Sequence, residues 1–158
     1  MTNIKQIIVI FSLAVFLGFA RFAMMSDPEF TLIKEERVIQ GITTFSVPEV
    51  MTEPMAINLK FAKYLFDNKS TLFIDARDPE DYDGGHIENS ISIPFDYYED
   101  YEGVIDNLDP AAVYVIYCSG DECSLSIDLA DYLFNELLFE KVLIFEGGWP
   151  QWRDAEYP

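Results

Sequence analysis

The sequence predicts an α/β fold with a mainly parallel central sheet flanked by helices, preceded by an N-terminal hydrophobic helix. Short apolar runs at residues 72–74, 112–117 and 141–145 are typical of buried strands. Stretches of helical periodicity separate these runs, and strands that alternate with helices usually pair in parallel. Half of the 158 residues are hydrophobic, so the chain is able to form a core of ordinary size.

The N-terminal segment, residues 1–25, is expected to be a transmembrane anchor or a signal segment. Residues 6–20 carry no charge and lie between Lys5 and Arg21. These fifteen residues are fewer than the roughly 20 of a membrane span, but residues 4–25 reach that length if both basic side chains extend to the interfaces.

The expected location of the domain depends on this segment. Lys5 and the amino terminus favour a single-pass anchor with the domain on the extracytoplasmic side, although Arg21 at the other flank weakens that inference. The residues Gly18-Phe19-Ala20 would suit signal cleavage, which would leave a secreted or periplasmic domain. A buried helix of a soluble protein is the third alternative.

Residues 26–54 are expected to be a connector with some extended structure. Prolines interrupt them, and residues 42–47 have the β-branched content of a short strand. The folded domain is assigned to residues 55–158. Its first helix is expected to begin near Met55, with Thr52 as the N-cap.

The remaining elements follow in order along the domain. After the strand at 72–74, residues 91–93 form a short strand that Pro94 ends. Residues 95–108 are very acidic and partly helical. The run 112–117 is the central strand, and an amphipathic helix over residues 125–137 leads to the last strand.

The negative charge is confined to the C-terminal half. Residues 71–158 hold three Lys or Arg against 21 Asp or Glu and so account for the whole net charge of −18. Such a surface repels nucleic acid and attracts basic partners, so nucleic acid is excluded as a partner and a basic protein is favoured. Simple solubility is the alternative explanation of the charge.

Cys118 is the candidate nucleophile. It directly follows the central strand, and ligands of open α/β sheets gather at the carboxyl ends of strands. The helix that begins near Ser124 would offer unpaired backbone N–H groups and a positive dipole end, which stabilise a thiolate. A buried cysteine that only fills space is the alternative. With two cysteines five apart and one histidine, neither a metal nor a cofactor is expected.

Four segments of the domain resemble the rhodanese (sulfurtransferase) family and occur in that family's order. They are Phe73-Ile74-Asp75-Ala76-Arg77 with Tyr82, Gly85-His86-Ile87 with Ser90-Ile91 and Ile93-Pro94, Tyr117-Cys118 followed by Ser124, and Glu146-Gly147-Gly148-Trp149 with Trp152 and Tyr157-Pro158. The resemblance implies a single rhodanese-like domain in which Cys118 accepts sulfur as a persulfide. It also implies that backbone amides surround that sulfur, from the loop Ser119, Gly120, Asp121, Glu122, Cys123 and Ser124.

The loop departs from the family pattern. Family loops often carry Arg where this chain has Ser119 and Cys123, and Gly where it has Asp121. If Asp121 and Glu122 faced the site they would raise the thiol pKa and repel anionic donors; the favoured alternative is that they point to water at the start of the helix. In either case thiosulfate is expected to be a poor donor. A persulfide or a basic protein partner is the better expectation, with a thiol as acceptor.

Other residues of the four segments are expected to support the site. Asp75 and Arg77 are assigned structural ion pairs or turn hydrogen bonds, for instance between Arg77 and either Glu80 or Asp81. The resemblance implies a structural role for His86, although a Cys–His pair is conceivable. Trp149 is expected to wall the pocket or to pack in the core.

Other functions stay open beside sulfur transfer. Cys118 and Cys123 would also suit a thiol-disulfide redox or sensing pair, in which Cys123 resolves or locks Cys118. The domain would alternatively be a binding module without turnover. A Cys-based phosphatase is disfavoured, because such enzymes need Arg six residues after the cysteine and this chain has Ser124 there.

Overall fold

The computed structural model describes residues 2–24, 45–69, 71–120 and 123–158. These residues divide into two units, one with the first helix and one with all the other elements. In chain order the elements are α1 (Thr2–Met24), β1 (Met55–Ile57), α2 (Leu59–Asn68), β2 (Leu72–Asp75), α3 (Pro79–Gly84), β3 (Ile91–Ser92), a 3₁₀ helix (Phe95–Tyr101), α4 (Glu102–Ile105), β4 (Val113–Tyr117), α5 (Leu125–Asp131), a π-helical turn (Tyr132–Glu136), β5 (Lys141–Phe145) and α6 (Gly148–Asp154).

The central feature of the second unit is a parallel sheet. Within the described ranges, five strands pair in the order β1-β5-β4-β2-β3, and every neighbouring pair is parallel. The predicted parallel sheet flanked by helices is thereby confirmed. Because β4 is the middle strand and parallel strands end at one edge, the loop after β4 lies at the centre of that edge.

Apolar side chains pack on both faces of the sheet. Alternate residues of β2, β4 and β5 belong to two separate clusters, as expected when successive side chains point to opposite faces. One cluster includes Phe61 of α2 and Trp152 of α6. The other includes Leu129 and Leu133, from α5 and the π-helical turn. The elements on either side of the loop after β4 are therefore anchored in the core.

The first elements of the domain differ from the prediction. Residues Met55–Ile57 form β1 beside β5, not the start of a helix. Helix α2 begins at Leu59, and its N-cap is Asn58 rather than Thr52, with the Asn58 side chain accepting a hydrogen bond from Phe61 N at 2.9 Å. A strand of three residues is too short to show a period, so only its pairing with β5 reveals it.

The region before the domain also differs from the prediction. No helix among the described residues is long and apolar enough to cross a membrane, so the anchor predicted for residues 1–25 is not supported. Residues 45–47 form no strand, and the rest of the predicted connector strand, residues 42–44, lies outside the described residues. The predicted extracytoplasmic location stays a prediction.

Candidate active site at the end of the central strand

Cys118 directly follows β4 and is buried, with 1% of its surface exposed. The chain then turns sharply. Gly120 has a φ of +110°, and the Cys123 N–H donates to the Gly120 carbonyl at 2.9 Å. This turn brings the second cysteine back toward the first before α5 begins at Leu125. The turn depends on Gly120, because residues with a side chain rarely adopt that backbone angle.

The Cys118 thiol is held among oxygen atoms. Its Sγ lies 3.3 Å from the Cys123 carbonyl oxygen and 3.3 Å from Ser126 Oγ. The Gly120 carbonyl is 3.9 Å away. Carbonyl oxygens accept hydrogen bonds and do not donate them, so the two carbonyl contacts favour the protonated form of Cys118. The hydroxyl and N–H of Ser126 act in the opposite direction and lower the Cys118 pKa.

The two cysteines share a hydrogen bond, and their pKa values move apart. The hydrogen bond with Cys123, together with burial, raises the pKa of Cys118 well above its usual range. The same hydrogen bond, joined by backbone N–H groups of Ser119, Leu125 and Ser126, lowers the pKa of Cys123 to about 6, although burial opposes the shift. Cys123 is therefore the cysteine of the pair that ionises first, and the proton of their hydrogen bond stays on Cys118.

The start of α6 closes the other side of the site. The Trp149 N–H donates to the Cys118 carbonyl at 2.9 Å. Gly148 has a φ of +56°, and a Cβ there would lie 2.2 Å from the Cys118 carbonyl oxygen and 2.7 Å from Gly120 N. Only glycine allows so close an approach, so Gly148 fixes the position of the loop backbone.

A buried ion pair supports β4 from the neighbouring strand. Arg77 donates to both carboxylate oxygens of Asp75, from Nε at 2.9 Å and from a terminal nitrogen at 2.6 Å. The same terminal nitrogen donates to the Gly85 carbonyl at 2.7 Å. The guanidinium also lies over the rings of Trp149 and Tyr117, at 5.7 and 6.0 Å from their centroids. Arg77 thus connects β2, α6 and the last residue of β4.

These features agree with a known family. The pattern that defines the rhodanese-like domain matches residues 59–155, more than half of the chain. The chain belongs to the rhodanese-like domain family. The family resemblance seen in the sequence is confirmed.

Known proteins are similar to this chain in sequence and in fold. Over 89 residues the chain is 38% identical to the tRNA uridine(34) hydroxylase of Photorhabdus laumondii, a match that covers 53% of this chain and 24% of that protein. The chain thus spans about a quarter of that relative's length. A Bacillus halodurans protein superposes with a TM-score of 0.57 at 25% identity, over 67% of this chain and 74% of that chain.

A thiosulfate sulfurtransferase of Pseudomonas aeruginosa shares the fold, with a TM-score of 0.55 at 20% identity. The superposition covers 67% of this chain and 20% of that chain.

The residues predicted to support the rhodanese-like site make the following contacts. Arg77 pairs with Asp75 rather than with Glu80 or Asp81, the partners predicted from the sequence. His86 stacks on Tyr82 with ring centroids 3.8 Å apart, and its Nδ1 lies 2.8 Å from the Tyr82 carbonyl oxygen. These contacts belong to the turn after α3.

The loop amides differ in part from the arrangement expected for the rhodanese-like loop. The resemblance implied that they surround Cys118, whereas the backbone N–H groups of Ser119, Leu125 and Ser126 face the sulfur of Cys123. The Ser126 N–H also lies near the sulfur of Cys118.

Asp121 and Glu122 of the predicted loop lie outside the described residues. The Ser124 carbonyl accepts a hydrogen bond from Asp128 N at 2.9 Å in the first turn of the helix. The role of Cys118 as sulfur acceptor stays a prediction.

Ser126 is the site residue that sequence reasoning missed. It is 2% exposed and lies on the same helical face as Leu129, Ala130 and Leu133. Its position as a polar residue within the apolar stripe of this helix is the sequence feature that would have identified Ser126. Among the described residues, no group of three or more His, Cys, Asp or Glu is placed to hold a metal ion.

Proposed function

We propose that this rhodanese-like domain is a sulfurtransferase that carries sulfane sulfur as a persulfide of Cys118. The observation that supports it most is the cysteine pair at the end of the central strand, where the Cys123 carbonyl lies 3.3 Å from Cys118 Sγ. One fold hosts several functions, so it is this cysteine pair and not the fold that supports sulfur transfer.

The pair provides a route to the reactive form of Cys118. The thiolate is the nucleophile of sulfur chemistry, and Cys118 rests as a thiol. Transfer of its proton to the Cys123 thiolate, along the hydrogen bond between them, makes Cys118 the nucleophile, as a neighbouring base does in other cysteine sites. Cys118 then bonds to the outer sulfur of a persulfide R–S–SH. The S–S bond of the donor breaks, and R–S⁻ leaves and takes up the proton of that outer sulfur.

The charge of the domain bears on the donor. Residues 71–158 carry the whole net charge of −18, so a doubly charged anion such as thiosulfate is repelled as it approaches. A low-molecular-weight persulfide, or the persulfide of a basic protein partner, is the proposed donor. A thiol is the proposed acceptor.

The same charge argues against a role on tRNA. The hydroxylase that the chain resembles acts on tRNA by its name, but the match spans 24% of that protein. Nucleic-acid binding depends on Lys and Arg at phosphates, and residues 71–158 hold three of these against 21 acids. Sulfur transfer to a thiol is therefore the preferred proposal.

The experiment is to mix the protein with glutathione persulfide and to quench it at once with an alkylating agent. Mass spectrometry is expected to find one added sulfur atom on Cys118, and thiosulfate is expected to add far less. The Cys118→Ser variant should gain none. Sulfur addition to that variant at the wild-type rate would refute the assignment.

A further inference from the structure

Cys123 is more than a neighbour of the sulfur-carrying cysteine. The turn at Gly120 returns the chain so that the Cys123 carbonyl lies 3.3 Å from Cys118 Sγ, and the two thiol groups share a hydrogen bond. Three backbone N–H groups face the Cys123 sulfur. In the carrier, Cys123 serves as the base that takes the Cys118 proton, and its position beside Cys118 Sγ also suits a direct attack on that sulfur.

We propose that Cys123 is a resolving thiol, which releases the sulfur of a Cys118 persulfide as sulfide by forming a Cys118–Cys123 disulfide. This inference rests on the proposed function, because it requires the Cys118 persulfide as its substrate. It adds a second activity, persulfide reduction to sulfide, to the carriage of sulfur.

Burial is the first argument for an internal acceptor. Cys118 is 1% exposed, and the start of α6 closes over its backbone through the Trp149 N–H. Once Cys118 carries the added sulfur, which arrives from outside, that sulfur shields Cys118 Sγ from any thiol of a protein partner. Cys123 already lies within hydrogen-bond reach of Cys118 Sγ and is itself half-buried, at the rim of the site.

The charge state of Cys123 is the second argument. Thiol–disulfide exchange needs a thiolate whose pKa lies near or below the ambient pH. The hydrogen bond from Cys118 and the three backbone N–H groups lower the pKa of Cys123 to about 6, so it is ionised at neutral pH. The N–H groups remain in place after Cys118 has been loaded, because they belong to the backbone.

The step balances without an added oxidant. After loading, Cys123 holds the proton that came from Cys118, and the pair is Cys118–S–S⁻ beside Cys123–SH. The proton moves to the outer sulfur, and the Cys123 thiolate bonds to Cys118 Sγ. The S–S bond of the persulfide breaks, HS⁻ leaves, and a Cys118–Cys123 disulfide remains. The outer sulfur is reduced to sulfide and the two cysteines are oxidised.

The disulfide must be reduced before another turnover. Two equivalents of a thiol, or one dithiol, return both cysteines to the thiol state and are themselves oxidised to a disulfide. The complete cycle therefore consumes a persulfide and a dithiol reductant. A reducing partner of that chemical class is part of the proposal.

The test uses the whole chain and glutathione persulfide, with the small molecules removed before the products are measured. The wild type is expected to release sulfide and to end two hydrogens lighter, with no added sulfur. The Cys123→Ser variant lacks the base of the loading step, so it is loaded for longer and at a higher pH. Once loaded, it is expected to keep one added sulfur and to release no sulfide until dithiothreitol is added. The Cys118→Ser variant supplies the background of sulfide from the donor.

Each outcome decides between the two proposals. A wild type that keeps its added sulfur and forms no disulfide would overturn the resolving role and leave the carrier role intact. Equal sulfide release from wild type and Cys123→Ser would do the same. If neither protein gains sulfur or releases sulfide above the Cys118→Ser background, the carrier itself is wrong. Circular dichroism of each variant separates these results from a failure to fold.

Discussion

The most direct test of the site's architecture is Gly148→Ala. Gly148 has a φ of +56°, and an added Cβ would lie 2.2 Å from the Cys118 carbonyl oxygen and 2.7 Å from Gly120 N. Both atoms belong to the backbone, so no flexible side chain is able to move aside. The variant therefore has to displace either the loop that carries Cys118 or the start of α6.

The loss of unfolding free energy expected for Gly148→Ala has two parts. Placing a residue with a side chain in the left-handed region costs roughly 1–2 kcal/mol. Overpacking a filled space costs roughly 1–3 kcal/mol. The sum is about 2–5 kcal/mol of unfolding free energy, a large share of the roughly 5–15 kcal/mol that holds a domain together. A loss of 2 kcal/mol lowers the melting temperature of a domain of about 100 residues by roughly 8 °C or more.

The assay is urea unfolding followed by fluorescence, with sulfur loading from glutathione persulfide measured on the folded variant. Gly103→Ala is the matched control, because nothing lies within 4 Å of its Cβ position and it is in a helix. That change should be neutral or stabilising by roughly 0.5–1 kcal/mol. If Gly148→Ala matched the wild type in both stability and loading, the loop would not depend on the close approach of α6.

Three further predictions follow from the charged groups of the site. The alkylation rate of Cys123 should rise with pH around a midpoint near its pKa of about 6. Cys118→Ala should move that midpoint up, because it removes a hydrogen-bond donor to Cys123. A wild-type midpoint near the usual thiol pKa would contradict the hydrogen bond between the two cysteines. The pKa of Cys123 is lower in the folded than in the unfolded state, so its ionisation adds to the free energy of unfolding. This contribution is fully present above the pKa of an unfolded thiol and is lost as the pH falls through about 6. Asp75→Asn should cost about 3–5 kcal/mol in urea unfolding, because it leaves the charge of Arg77 buried without its partner. The exposed pair of Arg153 with Asp154 provides the control, and Asp154→Asn should change stability by less than about 0.5 kcal/mol; equal effects of the two substitutions would refute the role assigned to burial.

Local patterns were sufficient for most of the fold. The runs of apolar residues at β2, β4 and β5 are long enough to identify strands, and the structure confirms the parallel sheet that they predict. Strand β1 was missed because three residues show no period. Its pairing with β5 is a contact between residues far apart in the chain, which no local pattern contains.

The sequence by itself determined the family, the parallel sheet and the position of Cys118 at the end of its central strand. Those features follow from local hydrophobic patterns and from motifs that occur in order along the chain. Only the tertiary structure decided which cysteine holds the proton. That depends on where Ser126, the Cys123 carbonyl and the loop N–H groups lie around two sulfur atoms, and those distances are set by the turn at Gly120 and by the packing of Gly148.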